Sequence, residues 1–551
     1  MKKILLSLLG VCTALSLLAQ EFEYEYEGQK IRYVVVDETA KTCGTAYGLW
    51  ETDCLEPPYA SPGNYVEGAL ILPSVVVNPQ SGEEYTLVSI GENGFIGCRG
   101  LTSVMIPESV ESMGYDAFAY CSSLESVSLP STLKTVDGGA FSYCPLLSTI
   151  NIPESLTVIS DGLFAGSGLT SIFIPATVSE IGENAFWYCN HLTEINVSED
   201  NTVYTSLDGV LYSKNMATLF KCPDRKSSLV VPDGVETIVS YALGGNSGIT
   251  SVALSSSVKT IEEFAFERAT GLTSLSFGSA EIESIGDYAF SGCTSLTSLS
   301  LPTSLTSIGR DAFSGCTSLE ELTIPAAVQS IGTPILLGCK NLKSISVEEG
   351  NEAYISLDGV LYDKDVTTLL EFPRGKTDLS IPASVAEIAP YAVCGATLHE
   401  SPTLSENIKI VGTEAFHYCD GFDTLTIPRY IESMGEDAFD CPDVTSVYYN
   451  MPEAKALPEE PFGRMAHYAT LYTPKSVAKY LRSYFPWNSF KKILAYEFED
   501  GVEEVCADID TALPYEIFDV ESRLVATELS ALPAGIFIVR QGRVSKKILV
   551  K

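Results

Sequence analysis

Histidine is nearly absent. The 551-residue chain carries four, His191, His399, His417 and His467, so a multi-histidine metal centre has little material. Basic residues are also scarce: 34 Lys and Arg stand against 71 Asp and Glu, for a formal net charge of −37. No domain-sized stretch is basic, which argues against nucleic acid and anionic membrane surfaces as partners. Cys-x-x-Cys pairs are missing, and with them the usual zinc framework. Gly-x-Ser-x-Gly, His-Glu-x-x-His and the Walker loop are missing too, and no carboxylate pair is marked by its spacing. No catalytic, metal or cofactor site is therefore marked by these patterns. Beyond Leu18 no apolar run approaches the roughly 20 residues that span a bilayer. Charged residues make up 19% and hydrophobic residues 45%, so a large core is available and global disorder is excluded.

The N-terminus reads as an export signal. Met1-Lys2-Lys3 precedes an apolar run from Ile4 to Leu18, with small residues near Ala19 that allow cleavage. A buried first helix is the alternative. With residues 1–19 removed, the chain is expected outside the cell.

A repeat organises the remainder. Ile106-Pro107, Leu129-Pro130, Ile152-Pro153 and Ile174-Pro175 follow at spacings of 23, 23 and 22. The series reopens at Val231-Pro232, keeps its period without proline at Leu254-Ser255 and Phe277-Gly278, and closes at Ile427-Pro428. Each unit reads Leu-x-x-Val/Ile-x-Ile-Pro-x-x-Val-x-x-Ile-Gly-x-x-Ala-Phe-x-x-Cys. Alternating apolar residues predict a short strand ending at proline, which has no N–H to extend a ladder. Gly114, Gly182, Gly286, Gly309 and Gly435 predict a corner needing positive φ or close backbone approach. Coils stacked about 4.8 Å apart align Phe95 to Phe186, then Phe266, Phe290 and Phe313, then Phe416 and Phe439, as a core ladder.

Two gaps are longer: Pro175 to Pro232 and Pro325 to Pro382 each span 57 residues. Within them the run from Tyr204 to Tyr212 recurs, 150 residues on, from Tyr354 to Tyr362. The central Asp-Gly predicts a β-hairpin. Each insert, about 198–228 and 348–378, is expected to leave the solenoid as a flap, within a duplicated block of coils. Asp200-Asn201 and Glu348-Glu349 at the flap bases are either solvated turns or calcium ligands. Eight cysteines (Cys98, Cys121, Cys144, Cys189, Cys293, Cys316, Cys339, Cys419) share one phase of the repeat. Parallel neighbours do not readily reach disulfide torsions, so buried free thiols are expected. Cys43 and Cys54 lie outside the repeat and could close a short loop.

The 23-residue unit resembles the BspA-like class of leucine-rich repeat over roughly residues 70–450. The resemblance implies a repeat solenoid, mainly β: a right-handed stack of about 13 coils of 23 residues with hairpin inserts. It also implies a secreted bacterial surface protein linked to adhesion or host-protein binding. Residues 20–69, with Phe22, Tyr24 and Tyr26 alternating with glutamate, are expected to form an N-terminal β cap. Residues 451–495 are expected to form a C-terminal cap with one helix, Thr473 as its N-cap and Val477, Leu481 and Tyr484 on one face. Residues 496–551 resemble a type IX secretion sorting tail, a small β domain that would engage export machinery and place the protein on the outer-membrane exterior. A structural cap is the alternative.

Candidate binding residues lie on two phases. Phe173 projects from the hydroxyl-rich strand face. Tyr120, Tyr143 and Tyr188, with Trp187 beside them, mark the turn in the first half only, because Gly292, Gly315 and Gly338 take that position later. Core-edge packing and ligand contact are both open for them. The expected function is adhesion to an extracellular protein or glycan; a coat without a ligand, or a hydrolase near the hairpin inserts, are the alternatives, and the inserts near Asp208 and Asp358 are the other place for a binding site.

Overall fold

The computed structural model describes residues 21–46, 66–451, 453, 457 and 459–496, with the strands at 516–519, 524–526, 535–541 and 544–550. The signal-like segment and Cys54 lie outside them. The chain is a mainly β solenoid. Each coil presents up to three lines of contact to the next. Strands before the proline position, such as Ser171–Ile174 and Glu321–Ile324, pair in parallel with Glu194–Val197 and Ser344–Val347. Two-residue strands after it, from Thr237–Ile238 through Ser330–Ile331, form a second parallel ladder in strict register. The Ala-Phe turns make a third: Phe118 and Phe290 N–H groups donate to the carbonyls of Ala140 and Ala312 at 2.9 and 2.8 Å.

In-register stacking sets the core. Phe95, Phe118, Phe141, Phe164 and Phe186 stack with centroids 5.0 to 6.2 Å apart, and Phe266, Phe290 and Phe313 continue at 4.8 and 5.7 Å. The cysteine phase lies beside them as buried thiols. Cys121, Cys189 and Cys316 Sγ donate to the carbonyls of Phe95, Phe164 and Phe290 at 3.2, 3.1 and 3.2 Å. Where the phase holds another residue, Asn246 Nδ2 donates to the carbonyl of Pro223 at 3.1 Å. The position thus takes a small donor that gives a second hydrogen bond to a carbonyl already holding a backbone N–H. Burial pushes the Cys144, Cys189 and Cys293 thiols up to about 12, far from a reactive thiolate.

The glycine corner resolves toward close approach. A Cβ on Gly286 would lie 2.4 Å from the Glu263 amide nitrogen, and one on Gly435 2.3 Å from that of Thr413, without positive φ at either.

The inserts depart from expectation. Tyr204–Leu207 and Val210–Ser213 form the hairpin, with Asp208 (φ 51°) and Gly209 (φ 76°) in the turn. A third strand, Thr218–Lys221, pairs antiparallel with the hairpin and parallel with Thr237–Ile238, which returns the chain to the second ladder. The same happens at Thr368–Glu371. The hairpins are therefore partitions across the core and not flaps. Leu211 packs into the N-terminal core cluster, while its neighbours Val210 and Tyr212 pack into the next, as alternation along a strand buried on both sides requires. Leu361 divides from Val360 and Tyr362 in the same way. Tyr204 Oη accepts the Ile181 N–H at 3.1 Å, and Tyr354 Oη that of Ile331 at 2.9 Å, satisfying amides at the interruption. Asn201, weighed above as a calcium ligand, is buried and saturated. Its Nδ2 donates to the carbonyls of Pro175 and Val178, and its Oδ1 accepts from the Val203 and Tyr204 amides.

The stack holds about 18 coils in place of 13, since the inserts rejoin it and parallel strands continue past 450 through Ser446–Tyr449, Thr470–Pro474 and Lys492–Tyr496. Pro474 ends a strand, and only Lys475–Ala478 is α-helical before a 3-10 turn at Leu481–Ser483. Val477 and Leu481 are buried, Tyr484 is exposed, and Trp487 packs on Tyr449 and Phe462. At the other end Glu21–Tyr26, Gln29–Asp37 and Thr42–Thr45 cover the first coil and join the second ladder. The tail strands Glu516–Asp519, Leu524–Ala526, Gly535–Gln541 and Val544–Val550 form one antiparallel sheet. Among the described residues no helix is long and apolar enough to cross a membrane.

The duplicated blocks carry a reversed ion pair. Lys221 Nζ lies 3.1 Å from Asp224 Oδ1, and at the equivalent positions Arg374 lies 3.1 Å from Glu371 Oε1; all four side chains are at most 5% exposed. Backbone carbonyls complete each cation: Gly244 for Lys221, Tyr391 and Ala392 for Arg374. Lys221→Glu alone would bury two carboxylates together and is expected to cost about 3–5 kcal/mol. Adding Asp224→Arg, the other block's arrangement, is expected to restore most of that loss in a urea unfolding titration.

Candidate binding face

The turn between the second ladder and the next coil holds two left-handed positions, one just before the Ala-Phe pair and one two residues after its Phe. The second is glycine in many coils, including Gly97, Gly166, Gly245, Gly292, Gly315 and Gly338, all with positive φ. Tyr120 (φ 60°), Tyr143 (φ 54°), Tyr188 (φ 54°) and Tyr418 (φ 54°) occupy the same backbone conformation. For a bulky L-residue this costs about 1 kcal/mol or more.

The rings at these positions stand on the surface. Tyr120 and Tyr143 are 45% and 38% exposed, and their rings stack at 4.8 Å and 4°. The far face of Tyr143 lies over Gly166, where a Cβ would come within 2.8 Å of the ring; Tyr188 covers Gly245 in the same manner at 2.9 Å. Trp187 tilts against Tyr188 at 4.3 Å and meets Tyr241 edge-on at 6.2 Å. Burial first, then the neighbouring Tyr143 and Asp116, push the Tyr120 phenol up. Glu267, hydrogen-bonded to Trp187, is also pushed up by burial.

Tyr120, Tyr143, Trp187 and Tyr188 thus share one face. Phe173 does not join them: it is 54% exposed on the strand Ser171–Ile174, in the ladder before the proline position, with Met105 (56%) and Val230 (77%) exposed at the same phase. The aromatic strip is not confined to the first half, which corrects the sequence reading. It changes phase across the insert and continues as Tyr241, Phe264 and Tyr288, stacked at 5.1 Å with φ of 57°, 57° and 55°. These occupy the other left-handed position, before Ala-Phe, where earlier coils place Asn93, Asp116 and Gly139. The recurrence of Asn, Asp and Gly there was the available signal, since these residues tolerate φ above zero. Arginines lie over ring faces on this side: Arg268 over Tyr188 at 5.8 Å and Arg310 over Tyr288 at 5.4 Å.

The remaining candidates sit elsewhere. Cys43 is a buried thiol in the N-terminal cap, and its bridge to Cys54 stays a proposal. Asp208 and Asp358 are turn residues of the partitions, and the Asp358 carboxylate is paired with Lys376 at 2.9 Å. Among the described residues no group of three His, Cys, Asp or Glu could hold a metal ion. The face offers ring edges, phenol hydroxyls and scattered charge, which is material for binding.

The BspA type Leucine rich repeat region family matches residues 84–206, 216–343 and 375–492, in 6 copies. Among solved structures, a leucine rich cell surface protein from Faecalibacterium prausnitzii is 25% identical over 59% of this chain and 95% of its own, with a TM-score of 0.44. A leucine-rich repeat protein from Bacteroides ovatus is 23% identical over 86% of this chain and 100% of its own, with a TM-score of 0.39. Another from Eubacterium ventriosum is 21% identical over 76% and 94%, with a TM-score of 0.40. No curated protein matches the chain.

The left-handed backbone yields a test with an inverted sign. At an ordinary position glycine is the less stable replacement. At 143 the variant Tyr143→Gly is expected to be more stable than Tyr143→Ala by about 1 kcal/mol in denaturant unfolding. The opposite order would mean that φ at 143 is not positive in solution.

Proposed function

The chain belongs to the BspA-type leucine-rich-repeat family, and we propose that it is an exported cell-surface protein that binds an extracellular protein or glycan through the turn face of its solenoid. One observation carries this reading. Tyr120, Tyr143, Tyr188 and Tyr418 hold a backbone conformation that glycine adopts with less strain and does adopt in sister coils. The rings are therefore kept for something other than the chain path. Rigid, half-exposed aromatics on a fixed platform are the usual anchors of binding faces. The apolar run from Ile4 to Leu18 and the antiparallel sheet near the C-terminus support export and display on the outer-membrane exterior through a type IX-like tail.

Ring-on-ring stacking at Tyr120 and Tyr143 equally suits a passive coat, which is the second reading. An array of immobilised extracellular glycoproteins and glycans, probed with residues 20–551, separates the two. Saturable binding is expected, weakened by at least about 2 kcal/mol in Tyr143→Ala with Trp187→Ala, with the fold intact by circular dichroism. No saturable binding, or binding that survives while thermal stability falls, would make the rings part of the core edge.

A further inference from the structure

The first insert leaves a hole in the turn face. Its coil lacks an Ala-Phe turn, and the segment Lys221 to Asp224 runs there instead, with the Cys222 N–H donating to the Ala242 carbonyl as a phenylalanine amide does in other coils. The indole of Trp187 is therefore not covered by a repeat neighbour and meets Tyr241 across a gap. The gap is a cavity of about 400 Å³, within the size range of ligand sites. Trp187, Tyr241, Phe220 and Leu211 make its apolar wall. Asp161, Glu180, Glu183 and Glu262 line it as well, against a single cation, Lys221, already paired with Asp224.

The duplicated block provides an internal control. Positions that build the scaffold are the same in both blocks: Ile181 and Ile331, Gly182 and Gly332, Leu211 and Leu361, Tyr241 and Tyr391. Apart from Asp161, kept as Asp311, positions that give the cavity its chemistry are not. Glu180, Glu183 and Glu262 correspond to Ser330, Thr333 and Gly412, while Trp187 and Phe220 correspond to Leu337 and Leu370. The second block thus keeps the partition, with Asp311 at the place of Asp161 and Tyr391 at that of Tyr241, while lacking the three glutamates and the rings of Trp187 and Phe220. Neither is required to fold an insert.

We infer that this cavity is a docking slot for an arginine side chain of a polypeptide partner. The inference deepens the binding reading above and rests on it. Aromatic walls with a carboxylate rim complement a guanidinium, which stacks on rings and forks onto carboxylates. The molecule already does this with its own arginines: Arg268 lies over Tyr188 next to the slot, and Arg464 lies over Tyr418 at 5.4 Å while donating to its hydroxyl at 2.6 Å. An overall charge of −37 favours approach of a basic segment.

The test uses residues 20–551 and a short capped peptide with two arginines in a glycine-serine background, titrated by calorimetry. The matching peptide has citrulline, a neutral isostere of arginine. The arginine peptide is expected to bind saturably, at least tenfold tighter than the citrulline peptide. Replacing cavity residues by their second-block counterparts, Trp187→Leu or Glu180→Ser with Glu183→Thr, is expected to weaken it at least tenfold at an unchanged melting temperature. Equal binding of the two peptides, no binding, or full binding by Trp187→Leu or by Glu180→Ser with Glu183→Thr overturns the slot. If array partners still bind through Tyr143 in those cases, the slot alone has failed; if they do not, the binding reading has failed with it.

Discussion

Every coil must hydrogen-bond to the next at one spacing, about 4.8 Å, and that spacing dictates what each position can hold. A side chain at a given phase meets its own counterpart one coil away. Phenylalanine answers by stacking, with Phe118 and Phe141 at 3°. Cysteine answers by donating to the carbonyl of the phenylalanine in the preceding coil, as Cys316 does to Phe290. The glycine corner answers with an absent Cβ, because the neighbouring backbone is already there. Since each contact reaches only one coil, the stack is a chain of near-neighbour terms, and local exceptions need local compensation. The ion pair that reads Lys-Asp in one block and Glu-Arg in the other is such a compensation: both signs of the pair satisfy the same buried site.

The inserts show what happens when the spacing is interrupted. A hairpin strand buried on both sides divides the core into clusters, and a tyrosine hydroxyl accepts an amide at the interruption. Surface consequences follow from the same break. The aromatic strip moves from one left-handed position to the other, and the cavity beside Trp187 opens where the turn of one coil has no Ala-Phe pair. The cavity and the phase change of the strip thus both lie where repetition fails, which is where side chains are released from the need to match their neighbours.

Much of this could be read from residues alone. Proline spacing set the period, the phenylalanine phase set the core, and Asp-Gly marked both hairpins. What could not be read depended on backbone torsion or on contacts distant in sequence. Tyr241, Phe264 and Tyr288 are aromatic at a position whose left-handed φ is hidden until the coil is built. Asn201 looks like an exposed oxygen donor because its partners, Pro175 and Val178, lie a full coil earlier. Thr218–Lys221 reads as part of a flap because two residues of parallel pairing, to Thr237 and Ile238, leave no periodic signature. Phe173 and Trp187 are near in sequence but belong to different ladders, since a coil turns away from its strand within a few residues.

Near-neighbour stacking in fixed register is tested most directly by removing one whole period. Deleting residues 287–309 joins Gly286 to Arg310, so that Ile285-Gly286 is again followed by an acid-Ala-Phe turn. The shortened chain is expected to fold, with an unchanged circular dichroism spectrum per residue and one cooperative unfolding transition near that of the parent. Deleting only residues 287–297 shifts every later side chain out of phase and is expected to abolish that transition. If the whole-period deletion unfolds the protein, or the half-period deletion is equally tolerated, stability does not reside in the register of successive coils.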